Sequence, residues 1–307
     1  MAREAREVRA PGGREAPGGL ERPRCSPTFP YPTRTLNTEV GHVAYFEHGR
    51  GPAMIFIHGL GGDLTHFEHL APVFARHFRV IGIDLPGCGR SDKHGRQSLA
   101  RHARAVMEVM RGLGIERATL VGHSAGGQVA AEVALCVPGK VERLVLINSA
   151  GLRSYHALLR LGARVLFHPA VLRRILGPSS MKLLARVFHS ENAHTRAFRR
   201  GAMGRPREPL LGELCKVAHE LMPDLLQPTV HDGAPEVTVP TLLIWGERDR
   251  LVPLSKVRAA AARFPRGQLA IIAECGHMPI IETPDETIAL MQRFLQVQEG
   301  FGEFAAG

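Results

Sequence analysis

Short apolar runs that are continuous instead of alternating recur along this chain, and they constrain its fold more than any other feature. A strand that is buried on both faces of a parallel sheet has such a run, whereas a strand with one solvent face alternates apolar and polar residues. Stretches with a helical pattern separate the runs, so the chain reads as repeated βα units. The runs are Met54–Ile57, Val80–Ile83, Thr119–Val121, Leu144–Ile147, Thr241–Trp245 and Leu269–Ile272.

The length of 307 residues and the apolar content of 44% suit one large α/β domain with an insertion. Two antiparallel strands, over 35–40 and 43–47 with a turn at Gly41, are predicted to begin it. Residues 1–33 are rich in Arg, Glu, Gly and Pro and lack the apolar stretch of a signal peptide, so a disordered tail is expected there. The predicted layout is a tail at 1–33, a core at 34–150, an insertion at 151–235, the rest of the core at 236–299 and a tail at 300–307.

A serine lies where one apolar run breaks into glycines. The residues Gly122-His123-Ser124-Ala125-Gly126 match the G-x-S-x-G pattern, in which a serine occupies a sharp turn between a strand and a helix. Small residues two positions before and after the serine let the strand and the helix pass closely. The pattern therefore predicts that Ser124 is exposed on a strained turn.

Four further loops that contain polar and ionisable residues follow other apolar runs. Together with the serine turn they form five ordered motifs, which are much more specific than one short pattern. The loops are His58-Gly59-Leu60-Gly61-Gly62, Asp84-Leu85-Pro86-Gly87-Cys88-Gly89-Arg90-Ser91-Asp92, Gly246-Glu247-Arg248-Asp249 and Cys275-Gly276-His277.

In these motifs, over about residues 34–297, the sequence resembles the α/β-hydrolase superfamily. The resemblance implies an α/β fold, with a mostly parallel eight-stranded sheet flanked by helices and an inserted helical cap over the nucleophile. It also implies a catalytic set with Ser124 as the nucleophile, Asp249 as the orienting acid and His277 as the general base.

The same resemblance implies which groups surround the reaction. The backbone N–H groups of Leu60 and Ala125 would form the oxyanion hole, with Gly59 letting the loop approach closely. His58, His123 and Gly59 are the implied substrate-binding residues. The two histidines are expected to line or brace this region, where their side chains could touch the substrate. Asp84, Ser91 and Asp92 are expected to brace their own loop, with little chance of a chemical role.

The chemistry explains why the three catalytic side chains occur together. A serine hydroxyl is a weak nucleophile at neutral pH, so a histidine has to take its proton and return it to the leaving group. A carboxylate then fixes the tautomer of that histidine. Asp249 fits the pattern of the acid loop, whereas Glu247 does not, and the other position where relatives keep an acid is occupied here by the uncharged Asn148.

Several reactions remain open to a serine nucleophile on this fold. Relatives that open epoxides or remove halogens carry aspartate at the turn, so Ser124 disfavours those two reactions. Carboxylester, thioester and lactone hydrolysis remain, as do carbon–carbon bond hydrolysis of meta-cleavage products and cofactor-free perhydrolase or haloperoxidase chemistry. Some members of the superfamily bind ligands or signal with little turnover, which is an alternative of another class.

The predicted insertion at 151–235 contains amphipathic segments and most of the chain's positive charge. It has 13 Lys and Arg against 6 Asp and Glu, whereas the whole chain has a formal net charge of +10. Leu158, Leu159, Val165, Leu166, Val171, Leu172 and Ile175 are interleaved there with Arg160, Arg164, Arg173 and Arg174. We expect a solvated basic face, with weak attraction to an anionic membrane surface as the alternative.

Composition limits the remaining possibilities. No nucleic-acid partner is expected, because the aromatic content is 6% and no binding module is recognisable. The five cysteines are dispersed and lack C-x-x-C spacing, so neither a disulfide framework nor a metal site is expected, and a cytoplasmic location fits. The implied chemistry requires no cofactor, the implied partner is a small hydrophobic ester-like substrate, and the sequence carries no signal for an oligomeric state.

Overall fold

A mostly parallel β-sheet with helices on both faces forms the centre of the molecule. The computed structural model describes residues 6–9, 31–152, 155, 162–163, 165–174, 187–203 and 207–296. Its strands are β1 Arg6–Arg9, β2 Thr33–Thr38, β3 Gly41–His48, β4 Ala53–Ile57, β5 Arg79–Ile83, β6 Ala118–His123, β7 Val141–Ile147, β8 Thr241–Gly246 and β9 Gly267–Ile272.

The strand order in the sheet is β1-β9-β8-β7-β6-β4-β5-β3-β2. All neighbours from β1 to β5 in this order pair in parallel, and β3 pairs antiparallel with both β5 and β2. The eight strands from β2 to β9 confirm the predicted fold class. Each predicted apolar run lies within one of them.

The strand β1 differs from the sequence prediction. Four residues of the segment 1–33, where we expected a disordered tail, pair in parallel with β9, with Arg6 opposite Gln268 and Arg9 opposite Ile271. Without β1, the strand β9 would have an unpaired row of backbone N–H and C=O groups, and such an edge can accept any extended segment. The other residues of this predicted tail up to residue 30, and the predicted tail at 300–307, lie outside the described residues.

Helices cover both faces of the sheet. They are α1 Ala71–Phe74, α2 Leu99–Gly112, α3 Ala125–Cys136, α4 Ala193–Met203, α5 Arg207–Leu225, α6 Thr229–Gly233, α7 Leu254–Ala261, α8 Pro279–Glu282 and α9 Pro284–Leu295. Among the described helices, none combines the length and the apolar content that a bilayer crossing requires.

Alternate residues of the central strands pack into two separate apolar cores. In β4, Ile55 and Ile57 face the core that includes α2, α3 and α7, whereas Met54 and Phe56 face the core that includes α1, α8 and α9. All four side chains are fully buried. Burial on both faces explains why the sequence of each strand is a continuous apolar run.

The insertion between β7 and β8 contributes α4, α5 and α6 and helical residues at 162–163, 165–166 and 169–174. The helix α5 is bonded to the core, because Glu220 accepts a hydrogen bond from the Gln97 N–H (2.6 Å) and Asp224 accepts one from the Leu99 N–H (2.9 Å). Leu158, Leu159, Ile175, Arg160 and Arg164 of the predicted amphipathic pattern lie outside the described residues.

Candidate active site

Three loops at the carboxyl edge of the sheet bring a serine, a histidine and an aspartate together. Ser124 follows β6, Asp249 lies just beyond β8 and His277 just beyond β9. The Nε2 atom of His277 lies 2.9 Å from Ser124 Oγ, and its Nδ1 atom lies 2.8 Å from Asp249 Oδ2. Because the carboxylate accepts a hydrogen bond from Nδ1–H, Nε2 is free to accept the serine proton.

Ser124 occupies a strained position at the amino end of α3. Its φ of 54° and ψ of −119° lie in a region that non-glycine residues avoid, and its side chain is only partly buried. A Cβ at Gly122 would lie 2.3 Å from the Gly126 carbonyl oxygen, and one at Gly126 would lie 2.2 Å from the Ile57 carbonyl oxygen. Both glycines are therefore required where β6, α3 and β4 meet.

Asp249 is buried and held by several donors. Its Oδ1 atom accepts hydrogen bonds from the N–H groups of Leu251 (2.7 Å) and Val252 (3.1 Å), and its Oδ2 atom accepts one from the Asn148 side chain (2.6 Å). Burial alone would raise the pKa of Asp249, but the hydrogen bond and charge of His277 and the bonds from Asn148 and Val252 outweigh burial and lower it. The carboxylate is ionised at neutral pH.

Asn148 is a residue of this site that the sequence did not identify. We noted the position only as a place where an acid is missing. In the structure Asn148 has a φ of 42°, donates to Asp249 and accepts a hydrogen bond from the Gly246 N–H (3.2 Å). Its location directly after β7, at the edge where the other loops meet, is the signal that could have revealed it.

The backbone of His277 is held on both sides. Its N–H donates to the carbonyl of Val187 in the insertion (2.8 Å), and its carbonyl accepts a hydrogen bond from His123 Nε2 (2.9 Å). His123 is buried, and this burial lowers its pKa to about 3, with the nearby His277 as a further cause. The imidazole of His123 is therefore neutral, with its proton on Nε2.

His58 braces the glycine loop in a similar way. Its ring is fully buried, with Nδ1 donating to the Gly59 carbonyl (2.8 Å) and Nε2 accepting from the Leu85 N–H (3.0 Å). The contacts of His58 and His123 are thus those of loop-bracing residues. The contact of their side chains with a substrate stays a prediction.

Gly59 and Leu60 lie in a tight turn beside the serine. The turn is closed by a hydrogen bond from the Gly62 N–H to the Gly59 carbonyl (3.0 Å). A Cβ at Gly59 would lie 2.9 Å from Ser124 Cβ, so the loop approaches the serine as closely as a glycine permits. Ala125 is the first residue of α3, and its N–H therefore has no acceptor within the helix.

The loop after β5 is braced by its own polar side chains, as predicted. Asp84 is buried and accepts hydrogen bonds from the N–H groups of Leu64 and Arg90, each at 2.7 Å. Ser91 donates to the Asp84 carbonyl (2.6 Å), and Asp92 accepts from the His42 N–H (2.7 Å). These bonds leave the three side chains engaged in holding the loop.

Apolar residues of α5 pack against Ala125, which follows the serine, and against the glycine turn. Two small clusters meet there, and both include Leu60 and Met222. The first consists of Cys88, Ala125, Val217, Leu221 and Leu225 with Leu60, Ala150 and Met222, and the second of Leu172, Cys215 and Ala218 with Leu60, Phe167, Leu211, Leu214 and Met222. These clusters make the surroundings of Leu60 and Ala125 apolar.

Thiols and metal ligands do not add a second centre in the part of the chain that the structure describes. None of the four cysteines described there, Cys88, Cys136, Cys215 and Cys275, forms a disulfide, and Cys25 lies outside the described residues. No group of three or more His, Cys, Asp and Glu side chains is arranged there to hold a metal ion.

Known families and proteins match most of this chain. Residues 52–284 match the family model described as the alpha/beta hydrolase fold. A 2-hydroxy-6-oxo-6-phenylhexa-2,4-dienoate hydrolase of Comamonas testosteroni is 31% identical, over 83% of this chain and 91% of that protein. The hydrolase YugF of Bacillus subtilis is 29% identical, over 80% of this chain and 91% of that protein.

Solved structures resemble the chain over most of its length. A membrane phospholipase A described as a bacterial virulence factor has a TM-score of 0.74 and 26% identity, covering 87% of this chain and 86% of that one. A thermophilic esterase from Thermogutta terrifontis also has a TM-score of 0.74, with 21% identity over 86% of this chain and 98% of that one. At 21% identity, the similarity to the esterase shows a shared fold and no more.

Proposed function

The chain belongs to the alpha/beta hydrolase fold family and is a hydrolase, and on that premise we propose that it cleaves carboxylic esters of hydrophobic acyl groups through a serine acyl-enzyme. One observation carries this proposal: His277 lies within hydrogen-bond distance of both Ser124 Oγ and the Asp249 carboxylate. The partly exposed position of Ser124 at the start of a helix supports it further.

In the first half of the proposed reaction, Ser124 Oγ attacks the ester carbonyl while His277 Nε2 takes the serine proton. The Asp249 carboxylate stabilises the imidazolium that forms. Collapse of the tetrahedral intermediate breaks the bond to the alcohol, which leaves with the proton from His277. In the second half, water attacks the acyl-enzyme by the same route and the carboxylic acid is released.

The negative oxygen of the intermediate needs donors that are already in position. We assign this role to the N–H groups of Leu60 and Ala125, which flank Ser124 on two loops. Removal of one oxyanion donor in other hydrolases costs roughly 3 kcal/mol of transition-state stabilisation. The close approach that Gly59 allows keeps the Leu60 turn against the serine.

We assign the acyl group to the apolar clusters beneath α5, with the insertion acting as a cap. Val217, Leu221 and Met222 lie in the same clusters as Leu60 and Ala125. Each methylene that is transferred from water to such a surface contributes about 0.8 kcal/mol. Turnover of a p-nitrophenyl ester series should therefore rise in kcat/KM from acetate to hexanoate, and a maximum at acetate would contradict this assignment.

Labelling with a fluorophosphonate tests the nucleophile independently of the natural substrate. Intact and peptide mass spectrometry should find one phosphonyl group on Ser124, and the adduct should be absent from Ser124→Ala and His277→Ala. The buried Ser149 lies close to the serine turn, where its Oγ faces Gly127. Ser149→Ala therefore serves as the matched control that retains the label. A folded wild-type protein without any adduct would favour a ligand-binding role.

Carbon–carbon bond hydrolysis is the second candidate, because the relative from Comamonas testosteroni is named for a dienoate substrate. Such a substrate carries a carboxylate and a ketone in place of an ester. Steady-state kinetics with 2-hydroxy-6-oxo-6-phenylhexa-2,4-dienoate and with the aryl esters separates the two. A kcat/KM for the dienoate above that of the best ester would overturn the ester assignment while leaving the roles of Ser124 and His277 in place.

A further inference from the structure

Part of the insertion has an apolar surface on its outer side. Residues 162–163, 165–166 and 169–174 are helical. On the inner side, Ala163 and Leu172 are buried, and Phe167 and Leu172 pack in the cluster that contains Leu60. The segment is thus already attached to the core through one side, and its remaining apolar residues are not needed for that attachment.

The outer side of this segment exposes large apolar side chains. Val165 is 72% exposed, Leu166 is 48% exposed and Val171 is 37% exposed. Among the residues that the structure describes, Leu251, which is 47% exposed, is the only other large hydrophobic residue exposed to a similar degree. Three of the four lie within seven consecutive positions. Such a concentration of exposed apolar side chains is typical of an interaction site.

The charged residues of the sequence that includes this segment have one sign. Residues 151–190 contain seven Lys and Arg and no Asp or Glu, whereas residues 191–235 contain six of each kind. The entire positive surplus of the insertion therefore lies in the part that carries the exposed apolar residues. Arg173 and Arg174 come after Val171 and the buried Leu172, and both arginines are exposed.

We propose that this outer face, defined by Val165, Leu166, Val171, Arg173 and Arg174, docks on the surface of an anionic lipid membrane. Basic residues are attracted to anionic headgroups, and apolar side chains beside them enter the boundary between headgroups and acyl chains. A polyanion such as a nucleic acid would pair with the arginines, but it would leave Val165 and Leu166 in water. The combination of both residue types favours lipid.

The location of the outer face connects docking to catalysis, a step that rests on the proposed function. Leu172, next to Val171, shares a cluster with Leu60, which we place at the oxyanion site. A protein docked through the outer face holds its active site close to the membrane surface. Esters with acyl chains that partition into the lipid surface are then the substrate class that it meets at high local concentration.

Co-sedimentation of the full chain with vesicles tests the docking without any turnover. Vesicles of phosphatidylglycerol and phosphatidylcholine at 1:1 should bind the protein at low salt, and vesicles of phosphatidylcholine alone should bind it at least about tenfold more weakly. Binding to the anionic vesicles should fall about tenfold or more between 50 and 500 mM salt, because salt screens the attraction. Absence of binding to anionic vesicles at low salt would overturn the proposal.

Two double variants separate the apolar and the charged contributions. Arg173→Glu with Arg174→Glu should weaken vesicle binding at least about tenfold, and Val165→Ser with Leu166→Ser should weaken it about fivefold at unchanged charge. Each pair has a matched control outside the insertion. Arg76→Glu with Arg266→Glu changes the net charge equally on exposed sites, and Leu251→Ser removes the other exposed large hydrophobic residue; both should bind within twofold of wild type.

Three outcomes would contradict the assignment to the outer face. Equal weakening by the Arg76 and Arg266 pair would show that net charge alone drives binding. Full binding by the Val165 and Leu166 pair would show a purely electrostatic site, of the kind that nucleic acids occupy. Unchanged binding by the Arg173 and Arg174 pair would place the contact elsewhere. Fluorophosphonate labelling and thermal unfolding of each variant confirm that it is folded.

The docking and the proposed function can fail separately. Ser124→Ala should bind vesicles like wild type, because Ser124 is not part of the outer face. Variants of the outer face should hydrolyse a water-soluble aryl ester at the wild-type rate when no vesicles are present. Loss of ester hydrolysis in wild type with retained vesicle binding would reject the proposed function alone.

Discussion

Asn148 shows how an uncharged residue can help His277 to keep the carboxylate of the proposed catalytic acid, Asp249, ionised. Its side chain donates to Asp249 Oδ2 and accepts from the Gly246 N–H, so it connects the loops that follow β7 and β8. A buried carboxylate depends on such donors to remain ionised. Asn is also one of the few residues that tolerate the φ of 42° found there.

Replacement of Asn148 should impair both activity and stability, and two variants separate the causes. Asn148→Ala and Asn148→Gly both remove the hydrogen bonds to Asp249 and Gly246, and each should lower kcat roughly tenfold with little change in KM. Asn148→Ala should be less stable than Asn148→Gly by about 1 kcal/mol, because only alanine is strained at this φ.

Ester kinetics and urea unfolding measure these two effects. A wild-type kcat in both variants would show that the amide does not hold Asp249 in its working position. Equal stabilities would show instead that the backbone relaxes away from positive φ.

At the level of secondary-structure elements, the serine turn can form only if β6, α3 and β4 approach one another closely. Gly126→Ala would bring a Cβ to 2.2 Å from the Ile57 carbonyl oxygen, so the helix or the central strand has to move. We expect a loss of more than about 3 kcal/mol in the free energy of unfolding. Gly139→Ala, where nothing lies within 4 Å of the added carbon, should change it by less than about 0.5 kcal/mol.

Urea unfolding of these two alanine variants makes the comparison. If Gly126→Ala is about as stable as Gly139→Ala, then β4 and α3 can move apart at the serine turn. The strained backbone of Ser124 would then need another explanation.

Glu282 joins α8 to the insertion. Its buried carboxylate accepts hydrogen bonds from the N–H groups of His189 (3.1 Å) and Ser190 (2.7 Å), and its carbonyl accepts one from the Asn192 side chain (2.7 Å). The neighbouring Val187 carbonyl holds the His277 N–H. The segment 187–192 therefore supports the general base that we propose.

Glu282→Gln should loosen this segment, because an amide oxygen replaces a carboxylate while the new NH2 group faces backbone N–H donors. Hydrogen exchange of residues 187–192 should increase, and kcat should fall roughly tenfold while KM changes less. Glu274→Gln, at an exposed carboxylate that contacts Arg248 and the His189 ring, is the control and should retain the wild-type kcat. Faster exchange without a loss of kcat would show that the function of His277 does not depend on the contact between Glu282 and the segment 187–192.

The whole molecule should lose stability in mild acid because it buries neutral histidines. Burial lowers the pKa values of His102 and His123 to about 3, whereas histidine in an unfolded chain titrates near about 6.5. Between these values only the unfolded chain binds the protons, so the free energy of unfolding falls as the pH falls. Each histidine should cost about 2 kcal/mol at pH 5 relative to pH 7.

Urea unfolding between pH 7 and pH 5 checks this expectation. His102→Gln retains a donor for the Pro86 carbonyl and should lose about 2 kcal/mol less over that interval than wild type. His77→Gln makes the same substitution at an exposed histidine and is the matched control. Asp84, whose pKa is raised by burial, acts in the opposite direction in acid, because its folded form takes up a proton more readily than its unfolded form. A loss of stability of the same size in His102→Gln and wild type would show that His102 does not cause the pH dependence.

The sequence predicts the parts of this molecule that depend on local pattern. Continuous apolar runs mark the parallel strands, and small residues around Ser124 mark the turn, because both requirements act within a few residues. The contacts of Asn148, Val187 and Glu282 join segments that lie far apart in the chain, and no periodicity encodes them. The strand β1 depends on the open edge of β9, so its own composition did not reveal it.

The two hydrogen bonds to the backbone of His277 have a consequence for exchanging parts between relatives. Enzyme engineers often treat the segment above the active site as a module that can be transplanted to change selectivity. Here a graft of the whole insertion would also replace the carbonyl that holds His277. A chimera that takes 193–235 from a donor while keeping the native 187–192 should preserve the reactivity of the serine. A chimera that replaces both segments should lose this reactivity until further substitutions restore it.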